Sequence, residues 1–265
     1  MKLMLQLHVL CLLAFNFITD TSTCQPGQVD PPSYEKYDLD LSNLNHTYIS
    51  LKAYQNDTVI IGGVHEGDRI VLRDAEQMVI QFRNCLIRSS HPEDALVFQG
   101  PVLNTTIDAK GLILKQGGLT FWDQLTNVSV QAGTVDSTHT GIRATKDLPH
   151  SNITIEGWSI SNATHEGIYL GVSKDTPQHL TGVFITQNKI RNCGWDGIQV
   201  GNSKFAVIFG NSLDFCGIAG EYGQDYGITI NPGSLVYLYD NTIRNTLKPV
   251  QVLDSRAFLH APPKN

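Results

Sequence analysis

No basic run of five or more residues occurs anywhere in the 265-residue chain, and charged residues make up only 17 % of it. With a formal net charge of −6, this argues against nucleic acid or an anionic membrane surface as the main partner. Cysteine is scarce. Four remain once the N-terminal apolar segment is set aside: Cys24, Cys85, Cys193 and Cys216. They are too scattered for a dense disulfide framework, and no CxxC pair or His-rich cluster offers a zinc site. A long amphipathic helical pattern is also missing. The one extended apolar run, Leu3 to Ile18, is short for a membrane span.

What is present begins with that run. Lys2 supplies a minimal positive region and "TDTSTC" follows with small residues, so residues 1–23 read as an export signal. Cleavage near Thr23 leaves Cys24 at the new N-terminus, where it suits a lipid anchor, although Thr21 stands where such signals usually carry leucine. Plain secretion is the alternative, so the expected location is extracellular, periplasmic or cell-surface lipoprotein. Any membrane contact would run through Cys24 alone. Residues 24–37, with "QPGQVDPPS", read as a tether and 38–57 as an N-terminal cap region.

Hydrophobic residues account for 41 % of the chain, and glycine for 23 residues. The apolar ones recur. Positions 0, 2 and 7 of one register are filled by Thr105/Ile107/Leu112, Val128/Val130/Val135, Ile153/Ile155/Ile160, Val183/Ile185/Ile190, Ala206/Ile208/Leu213 and Val236/Leu238/Ile243, with Ile80/Phe82/Ile87 as an earlier copy. A third short segment follows most copies: "GIRA" at 141, "GIYL" at 167, "GIQV" at 197 and "PVQV" at 249. No copy can bury its own apolar face. Stacking them, with strands roughly 4.8 Å apart, builds parallel sheets around one continuous core. The predicted fold is all-β: a right-handed parallel β-helix over residues 58–255, of about seven to eight coils and three parallel sheets, with 256–265 as a tail.

Asparagines punctuate this register. Asn162, Asn192 and Asn245 fall two places after position 7, and Asn188, Asn211 and Asn241 two places before it. Asparagine tolerates left-handed backbone and hydrogen-bonds along a stack, so these read as structural ladders. Cys193 and Cys216 share one column of small residues: buried thiols are the default, and a disulfide is within reach of adjacent rungs.

The repeated "N-x-I-x-N…G-I-x-V" line resembles the right-handed parallel β-helix proteins of the pectate-lyase-like superfamily, over most of the chain after the signal. That resemblance implies the fold and a range of activities: polysaccharide lyases, glycoside hydrolases, uronate epimerases, and adhesins or tailspikes with little chemistry. The polygalacturonase-like motifs are not found, nor is a pectate-lyase-like trio of calcium-binding aspartates. "HPED" at 91–94 shares its letters, but not their order, with the Asp-Pro-His-Glu run of alginate epimerases.

Candidate chemistry comes instead from columns. The residues before the third-strand glycine are Thr140, Glu166, Asp196 and Tyr226, preceded by His139, His165, Trp195 and Asp225. Arg143, Tyr169 and Gln199 are the outward positions of the third strands. Two insertions border this ridge, one bringing Lys174, Asp175 and His179, the other Glu221, Tyr222, Asp225 and Tyr226. Glu166, Asp196 and His165 are the expected catalytic groups. Arg143, Tyr169, Trp195, Gln199, Glu221, Tyr222, Asp225 and Tyr226 are the expected substrate contacts. The two carboxylates suit either calcium or a general acid beside an ionised partner, and Trp195 or Tyr169 offers a ring face to a sugar.

Two functions compete. One is a lyase or glycoside hydrolase acting on an acidic glycan, with polysaccharide as partner and calcium as the candidate cofactor. The other is a non-catalytic surface protein that binds glycan or protein through outward aromatics at Phe184, Phe209, Tyr237 and Tyr239. The run "LDSRAFLHAPPKN" after Val252 shows no helix to close the last coil, so Ala257 to Leu259 folding over the end, a docked partner, or a fragment of a longer chain is expected.

Overall fold

The computed structural model describes residues 36–43, 48–144, 148–171, 180–219 and 225–253, and the backbone of 256–260. The export segment, Cys24 and the tether as far as residue 35, Lys174, Asp175, His179, Glu221 and Tyr222 lie outside the described residues.

The inward register becomes a set of parallel ladders. Val128, Ile153, Val183, Ala206 and Val236 are successive partners in one column, and Val130, Ile155, Ile185, Ile208 and Leu238 in the next. A second ladder stacks Val135, Ile160, Ile190, Leu213 and Ile243, and a third stacks Ile142, Ile168, Ile198, Ile228 and Val250. The fold is a parallel β-helix of about eight turns. The first two ladders merge into a 16-stranded sheet, because the long strand Val79–Ser89 belongs to both, while the third is a separate 9-stranded sheet. Except for Ile243 and Val250, these inward side chains are sealed from solvent. Burying one Val, Leu or Ile is worth about 1.5–3 kcal/mol, and the fold repeats that gain along its length.

The register departs from expectation at its N-terminal end. Val135 pairs with Leu114, not Leu112, and Leu112 pairs with Cys85. Ile80 pairs with Ile107, which places Met78 and Ile80, rather than Ile80 and Phe82, in the first columns. Strand alternation sends residues two apart to the same face, so a two-residue error in counting still lands on an apolar residue. Pairing also runs past both limits of 58–255. Lys36–Asp40 pairs with Thr58–Gly62, Tyr48–Ser50 with Val71–Arg73, and Arg256–His260 with Leu235–Tyr239.

The asparagine ladders form as their spacing implies. Asn188, Asn211 and Asn241 pass hydrogen bonds up the stack, each Nδ2 reaching the next side-chain oxygen or an inner-strand carbonyl. Asn162, Asn192 and Asn245 adopt positive φ at the following corner. Trp158 is the largest fully buried side chain. Its indole N–H donates to Val130 O at 3.2 Å, and Gly133 makes room for it, since a Cβ there would strike the ring.

Candidate functional site

The third ladder carries the candidate residues on its outer side. Arg143, Tyr169, Gln199 and Thr229 are consecutive register partners. The corner before this ladder stacks Glu166, Asp196 and Tyr226, because Gly141, Gly167 and Gly197 donate to their respective carbonyls. Glycine is required at those corners: a Cβ on Gly167 would lie 2.6 Å from Gly197 O, and one on Gly197 2.7 Å from Gly227 O, with Cys193 Sγ and Cys216 Sγ next at 3.3 and 3.2 Å. The sequence columns are therefore real neighbours in space.

Their exposure differs from expectation. Glu166 is 3 % exposed, Asp196 0 % and Gln199 3 %. The acids do not form an open ridge. Each is held by an adjacent rung: Thr140 Oγ1 donates to Glu166 Oε2 at 3.1 Å, and Tyr226 N–H donates to Asp196 Oδ1 at 3.0 Å. A residue's place in a column says which neighbours it has, but not whether other side chains cover it.

Burial sets the protonation of both acids. It raises the Glu166 pKa, opposed by a backbone hydrogen bond, Thr140 and Arg143. Asp196 is pushed up to about 6, first by burial and further by the charges of Glu166 and Asp225, while Thr229 and the Tyr226 N–H pull it down. Among the described residues, Gln199 Oε1 and Asp225 Oδ1 are buried and find no hydrogen-bond partner; Asp196 Oδ2 and Thr229 Oγ1 are buried too, with Thr229 close enough to lower the Asp196 pKa but outside good hydrogen-bond geometry. Leaving such groups unpaired costs about 1–3 kcal/mol each, so this cluster is where donors from outside the fold would be most favourable.

A half-buried stack lies beside the acids. His139 and His165 have ring centroids 3.5 Å apart with rings tilted by 50°, and His165 stacks nearly parallel on Trp195, also at 3.5 Å. Trp195 thus spends one ring face on His165 rather than offering both to a sugar. Desolvation, helped by His139, lowers His165 to about 4, so its imidazole is neutral at pH 7. Burial lowers His139 as well.

Several participants escaped the sequence reading. Arg143 Nη2 lies 3.0 Å from Glu93 and 2.9 Å from Asp94, and its Nε donates to Thr120 Oγ1 at 3.1 Å. Arg69 reaches the other oxygen of Asp94 at 3.2 Å and sits over Trp122. The letters of "HPED" therefore mattered as acids that hold two arginines. Thr229 could have been found by extending the Arg143–Tyr169–Gln199 column one rung. Asp225 lies 3.9 Å from Lys248, which also contacts Tyr226. On the first ladder the outward aromatics pack on one another, Phe209 on Tyr239 at 4.5 Å, with Phe205 between Phe184 and Tyr237.

Fold and site together define a parallel β-helix protein with a covered polar face on one ladder. Residues 103–257 match the family model of NosD, described as a periplasmic copper-binding protein; this is more than half of the chain, which belongs to that family. No curated protein matches the chain. Among solved structures, the alginate lyase of Paenibacillus sp. strain FPU-7 aligns at 12 % identity and a TM-score of 0.43, over 79 % of this chain and 99 % of that one. The enzymatically active domain of tailspike protein 2 from bacteriophage CBA120 aligns at 10 % identity and a TM-score of 0.29, over 83 % of this chain and 41 % of that one. At such identities no residue's role transfers to this chain.

Proposed function

We propose that the chain is an exported, glycan-handling β-helix protein in which the covered face of the third ladder receives the sugar and Asp196, with Glu166, performs acid–base chemistry as a lyase or glycoside hydrolase. One observation carries this reading. Asp196 holds a pKa of about 6 beside a second buried acid, and Asp196 Oδ2, Gln199 Oε1 and Thr229 Oγ1, on neighbouring rungs of this ladder, are buried without a well-formed hydrogen bond among the described residues. A carboxyl that is partly protonated near neutrality can give a proton to a glycosidic oxygen or take one from carbon. Sugar hydroxyls are donors and suit the neighbouring acceptors. Arg143 and Arg69 are the cations of this face; Glu93 and Asp94 balance their charge, so they offer an acidic glycan N–H donors rather than a net positive field. His165, neutral, stacks between His139 and Trp195 and fixes the corner in front of Glu166. Tyr169, Trp195, Asp225 and Tyr226 border the face as sugar contacts, as do Glu221 and Tyr222 by their place in the chain.

The metals fare differently. Glu166 and Asp196 are hard oxygen donors of the kind calcium takes, but the burial that favours their protonated forms opposes a cation there. Copper, named in the family description, prefers thiolate and imidazole. Among the described residues no group of three or more His, Cys, Asp or Glu could hold a metal ion. His139 and His165 pack against each other with rings tilted by 50°, and Cys193 and Cys216 are fully buried. The described residues do not fit copper, and no step of the proposed chemistry runs through it.

A second reading is favoured by the closure of the acids: non-catalytic glycan binding through the same face. Incubating the purified protein with uronate-containing and neutral polysaccharides, with and without calcium, separates the two. Release of an unsaturated uronate or of reducing ends supports the enzyme. Retention on a glycan column without turnover supports binding alone, and neither result from any glycan overturns both.

A further inference from the structure

Beneath the acid pair, on the inner side of the corners, lie the two remaining groups whose chemistry the site does not use. Cys193 and Cys216 are register partners on neighbouring parallel strands, and both are sealed in the core. Adjacent rungs stand about 4.8 Å apart, which lies inside the Cα separation that a disulfide spans, about 4.4–6.8 Å. The structure holds them as thiols, and Cys216 Sγ reaches across to the Cys193 rung, 3.9 Å from Ile190 O. Cys85, the third described cysteine, is a register partner of Leu112 and Gly63, so no sulfur faces it across the ladder.

We infer that Cys193 and Cys216 are joined as a disulfide in the exported protein, clamping the rung of Asp196 to the rung of Tyr226. The inference rests on the export reading for its oxidising surroundings, but not on the glycan reading. The chemistry balances in two exchanges. The thiolate of one cysteine attacks the disulfide of an exported thiol oxidant, forming a mixed disulfide and releasing one of the oxidant's sulfurs as thiolate. The second cysteine then attacks the bonded sulfur and releases the other. Two thiols lose two protons and two electrons, and the oxidant's disulfide is reduced to a dithiol. Full burial places this step during folding, before the rungs close.

Placement gives the bond a consequence. Cys193 Sγ lies under Gly167 and Cys216 Sγ under Gly197, the residues that follow Glu166 and Asp196. Cys216 also precedes the insertion that leads to Asp225 and Tyr226. Cross-linking these corners fixes the spacing on which the Asp196–Tyr226 hydrogen bond depends.

The test refolds the full chain from denaturant in a glutathione redox buffer, then alkylates it under denaturing conditions without reductant and maps the peptides by mass. The expected result is an alkylated Cys85 and a linked Cys193–Cys216 peptide lighter by two hydrogens. Reduction should then lower the melting temperature by roughly 5–10 °C. Cys193→Ala should return Cys216 to the alkylated pool, which identifies the pairing even if that variant is less stable. Complete alkylation of both cysteines in the refolded, cooperatively melting parent overturns the inference. The same mapping on protein recovered from the exported fraction isolates the compartment: linked after refolding but alkylated there means that the geometry is right and the export reading wrong.

Discussion

The second and third ladders present outer faces of opposite character. On the second, Lys189, Arg191 and Arg244 stand exposed, with Asp214 between the two arginines in register. Among the described residues no ion pair joins this column; Asp214 instead accepts from Asn245 at 2.7 Å. Such charges are solvated and individually worth little. On the third, equivalent outward positions hold Thr120, Gln199 and Thr229, nearly all buried, with Asp94 gripped by two arginines and several oxygens unpaired. One face is decoration that water satisfies. The other buries polar groups that the fold does not fully satisfy, which is expected where a protein keeps interactions for something outside itself.

The comparison depends first on the shared core, and the largest effect should come from breaking it. Ile155→Asp or Ile185→Asp places an unpaired charge among sealed apolar side chains and should abolish cooperative unfolding in a thermal or urea melt. Thr154→Asp, on the outer side of the same strand, should melt close to the parent. A parent-like melt for Ile155→Asp would contradict the inward register.

Next comes the buried asparagine ladder. Asn211 donates to Ile185 O and Asn241, and accepts from the main-chain and side-chain amides of Asn188. Asn211→Ala should cost roughly 1–3 kcal/mol in denaturant unfolding. The exposed Asn192→Ala, at a corner where φ is +53°, should cost less.

The acids and the stack should respond to pH with opposite signs. Asp196 is raised to about 6, so it binds its proton more tightly when folded. Its contribution is complete below the ordinary aspartate value and is lost as pH rises through about 6. His165 is lowered to about 4, so its contribution is complete above the ordinary histidine value and is lost as pH falls toward 4. The two oppose each other between those limits. Asp196→Asn should remove the loss of stability on the alkaline side, and His165→Phe the loss on the acid side, in melting curves taken from pH 4 to pH 7. Asp196→Asn should also abolish any glycan turnover while leaving the melting temperature near pH 4, where Asp196 is protonated in the folded chain, almost unchanged. Turnover at the parent's rate would remove Asp196 from the chemistry.

The smallest effect belongs to the exposed face. Arg191→Ala should change stability by no more than about 0.5 kcal/mol. Arg143→Ala should cost more, because it strips the buried Asp94 of one of its two cations. Equal costs for the two arginines would erase the contrast between the faces.

What the sequence alone determined was periodic. Inward columns such as Ile153–Val183–Ala206, the asparagine ladders and the adjacency of Glu166 and Asp196 follow from counting, because a strand alternates faces and stacked coils repeat their corners. The count failed at Leu112 and Phe82, where a shift of two residues keeps the same face and leaves no compositional trace. Tertiary structure alone decided which outward positions are covered. Glu166, Asp196 and Gln199 carry no mark that separates them from exposed corner residues such as Asn162 and Asn192. Their burial exists only in the folded chain, and the raised acid pKa values that make them a candidate site follow from it.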